Sequence, residues 1–200
     1  MASFAVVVLA GGAARRMNGV DKPALPVAGT SMLRRVLAAV PAADLCVVVG
    51  PAAIPPSATV RTTREDPPGG GPVAATGAGL ALLDPTPELV ALLAADLPLL
   101  TAEAVLRLRD AVLASTCDGA VYVDEEGRRQ LLCGMWRIAP LRAALTALAA
   151  ARPDGLRGAS MRALFDGLVV TEVSWRRPGA PPWFDCDTDA DMRRAEEWAG

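Results

Sequence analysis

Two textures of apolar residues alternate along the first 115 positions. The run FAVVVLA (4–10) has no polar interruption and predicts a strand buried on both faces. SMLRRVLAAV (31–40) has helical spacing, with Thr30 or Ser31 as a cap and Pro41 just past its end. A second buried strand follows at LCVVVG (45–50) and a weaker third at ATVRT (58–62). Pro72 can open a helix over 72–83, ELVALLAAD (88–96) reads as a fourth strand, and Thr101 caps a helix over 101–115. The second half is less regular. GAVYVDEEGRRQLLCGMWRI (119–138) predicts two strands joined by a turn at DEEGR. Helices are expected over 139–151 and 157–167, a strand over 168–175, a loop over 176–182 and a last helix from Asp189.

This order predicts an α/β protein: a mostly parallel sheet with helices on both faces, a three-layer Rossmann-like αβα arrangement. The Pro- and Gly-rich stretches are too short for linkers, so residues 1–200 are read as one domain. Ligands of such sheets sit at the carboxyl ends of the strands. Gly11, Asp66 and Asp96 each follow a predicted strand and should share one rim.

Composition narrows the chemistry. Apolar residues at 52% and charged residues at 21% exclude a disordered chain. A net charge of −2 argues against a general nucleic-acid binder. The apolar start is too short to span a membrane and has no basic leader, so a cytoplasmic protein is expected. The four cysteines show no CxxC spacing and there is no His, so zinc patterns are absent and the thiols are read as small buried hydrophobes. Without His the usual general base and the Ser–His or Cys–His pairs are also missing.

The stretch LAGGAARRMNGVDKP (9–23) carries the strongest candidate chemistry. It fits neither a Walker A loop nor a dinucleotide fingerprint. Two glycines after a buried strand let backbone N–H groups approach an anion, and Arg15, Arg16 and Lys22 supply positive charge. The bland alternative is a surface loop with solvated charges. Lys22 is the only lysine among 20 basic residues, which suggests a position that needs a compact point charge rather than a planar guanidinium. Asp96, directly after an apolar strand, either binds a metal or caps a turn before the helix at Thr101. In REDPPGGGPVAATGAG (64–79), Asp66 could accept hydrogen bonds from a base or ribose, against the alternative of a plain Pro-Gly turn.

The spacing L-A-G-G-x-x-x-R-M-x-G-x-D-K from Leu9 to Lys22 resembles the signature loop of the MobA family, the molybdenum cofactor guanylyltransferases. The likeness continues through Asp66, GPVAA (71–75), AADLP (94–98) and DCDTDADM (185–192). It implies a nucleotidyltransferase fold of the nucleotide-diphospho-sugar transferase type. It further implies transfer of GMP from GTP to the terminal phosphate of molybdopterin, with release of pyrophosphate and Mg²⁺ as cofactor. Molybdoenzymes or other cofactor-assembly proteins would be its partners. Under this resemblance Leu9, Ala10 and Gly11 contact the nucleotide through backbone atoms and Gly12, Arg16 and Lys22 hold its phosphates. Asp66 binds the nucleoside and Asp96 the Mg²⁺, with Arg16, Lys22 and Asp96 as the catalytic set. No covalent intermediate is implied, which suits a chain without His.

Three departures stand out: Gly50-Pro51 where the family often has Asn, Ala75 where Gly is usual, and Asp185 and Asp187 where some members carry Asn. The two carboxylates could bind a second metal, cap the last helix or face solvent. Related cytidylyltransferases usually read L-A-A-G, so Leu-Ala-Gly-Gly and GPVAA favour GTP. Arg128, Arg129, Gln130, Arg157 and Arg162 are available for the acceptor, while Trp136, Trp175, Trp183 and Trp198 are read as packing residues. The alternatives kept open are a cytidylyl or other small-molecule nucleotidyltransferase, and a catalytically silent nucleotide-binding protein.

Overall fold

The first apolar run becomes the centre of the sheet, with every residue of Phe4–Leu9 buried. The computed structural model describes residues 3–11, 22–51, 54, 57–83 and 87–200. In chain order these form β1 (Phe4–Leu9), a 3-10 turn (Lys22–Ala24), β2 (Pro26–Val27), β3 (Thr30–Ser31), α1 (Met32–Ala38), β4 (Leu45–Val49) and β5 (Val60–Thr63). Then follow α2 (Pro72–Ala81), β6 (Leu89–Ala94), α3 (Ala102–Leu113), β7 (Gly119–Val123) and β8 (Arg129–Arg137). The chain closes with α4 (Ile138–Ala150), α5 (Met161–Phe165), β9 (Val170–Ser174) and α6 (Asp189–Ala199).

Seven strands make one sheet in the order β5-β4-β1-β6-β8-β7-β9. Only β8 runs against its neighbours, pairing antiparallel with both β6 and β7. Its reversal follows from the turn at Asp124, whose carboxylate accepts from the N–H groups of Glu126 and Arg128. The other large-sheet neighbours pair in parallel. The sheet is thus α/β and mostly parallel, as the alternation predicted.

Successive residues of β1 face opposite layers. Phe4, Val6 and Val8 pack with Leu33 and Val36 of α1 and Val105 and Leu108 of α3. Ala5, Val7 and Leu9 pack with α2, α4 and α5, through residues such as Val73, Leu141 and Leu164. Burying a side chain of this size contributes roughly 1.5–3 kcal/mol, so β1 anchors both layers. α2 lies so close to it that a Cβ at Gly79 would stand 2.5 Å from Val7 Cγ1.

Caps set the helix starts. Ser31, Thr101 and Ser160 accept from Arg34, Ala104 and Ala163, and Pro72 opens α2. The helix expected over 157–167 is cut to Met161–Phe165, because Ser160 caps it and Gly158 takes a φ of 65°. The short β2–β3 pair was not foreseen. It packs with α6 around Val27, Met32, Cys186 and Ala195, a third apolar cluster, which Cys186 joins to the chain just past β6. Among the described residues no helix is long and apolar enough to cross a membrane.

Candidate active site

The chain leaves β1 for β4 on one side and returns through β6 on the other, so the sheet order reverses between β1 and β6. Crevices form at such switch points, outside the carboxyl ends of the strands. Here the sheet extends past its strands: the Ala10 N–H donates to the Val49 carbonyl at 2.8 Å and the Ala95 N–H to the Leu9 carbonyl at 3.1 Å. Leu9, Ala10 and Gly11 all face the cleft from this turn. Gly50 closes in from β4 with a φ of 146°, and a Cβ there would sit 2.6 Å from the Ala10 carbonyl carbon. The Gly50 departure is accordingly a steric requirement of this chain.

Lys22 stands over the crevice at 8% exposure. Its Nζ donates to Asp96 Oδ2 at 2.6 Å and to Asp187 Oδ1 at 2.7 Å. Three separate pieces of chain are brought together to do this. Asp96 follows β6 by two residues. Lys22 starts the 3-10 turn that leads into β2. Asp187 reaches the site because the Cys186 N–H donates to the Asp96 carbonyl at 3.3 Å. Cys186 is fully buried in the third cluster, so the carboxylates on either side of it are turned towards the cleft. Arg35 of α1 braces the arrangement, donating to the Pro98 carbonyl at 2.7 Å and the Val27 carbonyl at 3.3 Å.

Burial alone would lower the pKa of Lys22, but its hydrogen bonds to Asp187 and Asp96 and their charges outweigh that, and the net shift is upward. Lys22 is therefore an ammonium. The Asp185 pKa is also raised, by loss of solvent and then by the charges of Asp187 and Asp96, which for a carboxylate disfavours the charged form. Among the described lining residues three carboxylates stand against one ammonium, an excess of acidic groups.

That excess fits a divalent cation. Among the described residues no three His, Cys, Asp or Glu side chains are grouped to hold a metal ion by themselves. Mg²⁺ commonly takes one or two carboxylates and completes its shell with phosphate oxygens and water. Asp96 and Asp187 would supply that pair.

The cleft has a volume of about 610 Å³, in the usual range for small-molecule sites. Leu9, Ala10, Gly11, Lys22 and Asp96 all line it. Gly12, Arg15 and Arg16 lie outside the described residues. Asp66 is exposed beyond β5, on the same rim as expected but outside the cleft lining. Asp96 gives its carboxylate to Lys22, while Thr101 caps α3. The helix-cap reading of Asp185 and Asp187 is corrected: Thr188 and Asp191 form the capping box of α6. Ala75 sits in the core of the α2 face, not against the cleft.

The opposite wall is built by Gln130, Leu132 and Cys133 of β8 and by Trp183. Of the acceptor candidates only Gln130 reaches the cleft. Arg128 pairs with Asp124 and Glu126 and Arg129 with Glu172, while Arg157 and Arg162 are exposed elsewhere. Trp136 stacks on Phe165 and Trp198 meets Phe184 edge-on, as packing residues. Trp183 packs on Tyr122 yet also faces the cleft, a second role that the sequence reading missed. The lining by β8 was illegible because nothing in the hairpin sequence says that β8, rather than β7, lies beside β6.

An open, mostly parallel sheet with a glycine turn, a buried lysine and an aspartate at its switch point defines an α/β protein with its crevice where such sheets bind ligands. The chain belongs to the MobA-like NTP transferase family, whose model matches residues 6–167. It is 33% identical over 205 residues to the molybdenum cofactor guanylyltransferase of Rhodopseudomonas palustris, covering 96% of this chain and 92% of that protein. Solved structures that share the fold include a molybdopterin-guanine dinucleotide biosynthesis protein and a cytidylyltransferase. Molybdopterin-guanine dinucleotide biosynthesis protein A from Archaeoglobus fulgidus superposes with a TM-score of 0.69 at 20% identity, over 96% of this chain and 97% of that one. The 2-C-methyl-D-erythritol 4-phosphate cytidylyltransferase of Thermus thermophilus gives 0.71 at 22% identity, over 98% of each.

Proposed function

We propose that the protein is a Mg²⁺-dependent molybdenum cofactor guanylyltransferase. It transfers GMP from GTP to the terminal phosphate of molybdopterin and releases pyrophosphate. The observation that carries the reading is the Lys22–Asp96–Asp187 cluster at the sheet's switch point, in a chain similar to a guanylyltransferase along nearly its whole length. The fold alone is shared with a cytidylyltransferase, so the choice of base rests on the sequence relatives and on the Leu-Ala-Gly-Gly turn.

GTP would lie along the β1 side of the cleft, against Ala10, Gly11 and Pro72. The N-terminus of α2 opens there without a side-chain cap, an end that favours phosphate. Lys22 would take phosphate oxygens, with Gly12 and Arg16 from the neighbouring loop. Molybdopterin would enter along Gln130, Leu132 and Trp183, bringing a phosphate oxygen in line with the α-phosphorus. That oxygen forms the new P–O bond as the bond to the β-phosphate breaks, and the leaving pyrophosphate carries away the electron pair. Mg²⁺, when bound at Asp96 and Asp187, supplies neutralisation of the phosphate charge. The protein's own contribution is position and charge, so no covalent intermediate is needed. Asp66 would bind the nucleoside from the rim.

Calorimetry with GTP, CTP, ATP and UTP in the presence of Mg²⁺ tests the reading. Selective GTP binding, followed by pyrophosphate release when molybdopterin is added, is expected. A preference for CTP moves the protein to the cytidylyl branch, and nucleotide binding without pyrophosphate release from any acceptor makes it a silent binding protein. Asp96→Ala should lose turnover by at least about a hundredfold while keeping its fold, read by pyrophosphate release and thermal melting.

A further inference from the structure

We propose that Gln130 and Trp183 select the acceptor by its ring: a flat heterocycle lies against Trp183 and turns an N–H edge to the Gln130 carbonyl. The proposal rests on the nucleotidyl-transfer reading for there being an acceptor, but not on which nucleotide is the donor.

The Gln130 amide is already committed on one side. Its Nε2 donates to Asp124 Oδ2 at 3.2 Å and to the Arg128 carbonyl at 3.3 Å. A carboxylate and a carbonyl only accept, so the amide nitrogen has to face them, and it has two N–H groups to give. Both are spent. A ligand that meets Gln130 in the cleft therefore finds Oε1, an acceptor, and must bring a donor. The Asp124 carboxylate also accepts from the Glu126 and Arg128 N–H groups, so the hairpin turn itself fixes this orientation. Trp183 is braced from the other side. Its ring centroid lies 5.1 Å from that of Tyr122 at an angle of 33°. Tyr122 is fully buried, its hydroxyl donates to the Ala104 carbonyl at 2.8 Å, and Trp175 meets it edge-on. Half-buried and lining the cleft, Trp183 is a fixed aromatic surface on which a ring can stack.

The sheet order says which substrate meets this wall. β6 lies between β1 and β8, and Asp96 follows β6, so the Lys22–Asp96 pair stands between the two sides of the cleft. Two substrates whose phosphates react there approach from opposite sides. The β1 side offers Ala10, Gly11 and Pro72, which suit phosphate and backbone contacts. Among the described lining residues, only the β8 side carries an amide and an aromatic ring. The pterin of molybdopterin presents a ring N–H and an amino group side by side on a flat pyrimidine ring, the donor edge that Oε1 requires. Guanine carries the same edge, so the experiment has to separate the two.

Pterin, the bare ring, is the probe, titrated into the full chain with and without GTP and Mg²⁺ and followed by its fluorescence. The wild type should bind and quench it. Trp183→Leu and Gln130→Leu should each weaken pterin binding at least about fivefold, while Trp183→Phe should stay within about threefold of wild type. All three should bind GTP as the wild type does, by calorimetry. Asp124 keeps its two backbone partners in Gln130→Leu, so the turn should survive, as thermal melting will show. If Trp183→Leu does not fold, Gln130→Leu carries the test alone. A wild type that binds no pterin in either condition overturns the proposal, as does a folded Gln130→Leu variant that binds pterin undiminished. GTP binding lost in step with pterin binding would place guanine on this wall, and overturns it too. Failure of the guanylyl reading would show in the nucleotide calorimetry and in pyrophosphate release, and would leave the titration without nucleotide unaffected.

Discussion

Lys22 is a buried charge that two carboxylates hold in place. Removing it strips the part-buried Asp96 carboxylate of the ammonium that holds it, the costly part of the change, whereas the pairing with Asp187, whose side chain is 72% exposed, contributes little. Because the folded pKa is raised, the stabilisation is fully present below the ordinary lysine value of 10.5 and is lost as the pH climbs through the folded value. Melting curves of wild type and Lys22→Met should differ at pH 7–9 and converge only in strongly alkaline solution, beyond about pH 10.5. The thiols behave differently. Burial pushes Cys46 to about 11 and Cys133 and Cys186 to about 12, and all four cysteines are buried. At pH 8 a thiol reagent should find no reactive cysteine in the native protein and four after denaturation. Lys22 and Asp96 were legible at this scale because each stands out locally, one as a unique residue and one as a carboxylate ending an apolar run. Their ion pair with Asp187 was not. No local pattern joins residues 165 positions apart.

Elements were legible where burial imposes a pattern. β1, β4 and β6 are covered by helices on both faces, so they appear in the sequence as unbroken apolar runs. β2 and β3 have two residues each, too few for any periodicity, and are specified by packing against α6 instead. α6 depends on its cap. Thr188 accepts from the Asp191 N–H, and the Asp191 carboxylate accepts from the Thr188 N–H in return. Thr188→Ala should cost about 1 kcal/mol, or roughly 2–4 °C in melting temperature for a chain of this size. It should also loosen Asp187, one residue before the cap, and weaken its pairing with Lys22. Arg35 has a comparable reach from α1. One guanidinium ties the loop after Asp96 to the hairpin after Lys22. Arg35→Met should therefore lower kcat more than it raises KM, since it disturbs the alignment of the site without touching a substrate.

For the whole molecule, the sheet order is the organising fact. The parallel alternation was readable from the sequence, and with it the rim on which the site would form. The insertion of β8 between β6 and β7 was not readable, and it is this insertion that gives the cleft its second wall. A ligand held across both walls should stabilise the whole structure. At a hundred times its dissociation constant, GTP with Mg²⁺ should add about 2.7 kcal/mol, and melting should rise by roughly 5–11 °C. CTP at the same concentration should give a much smaller rise if the guanylyl reading holds.

The hydrogen bond from Cys186 to the Asp96 carbonyl has a consequence for how the enzyme comes into being. A growing polypeptide can assemble β1 and β6 long before residues 185–187 leave the ribosome, but its candidate site then lacks one of the two carboxylates on Lys22. Cys186 and Ala195 are fully buried, so a chain cut short before them also leaves Val27 and Met32 uncovered. Unfinished copies would thus be marked by an exposed apolar surface, the feature by which chaperones and proteases sort incomplete proteins.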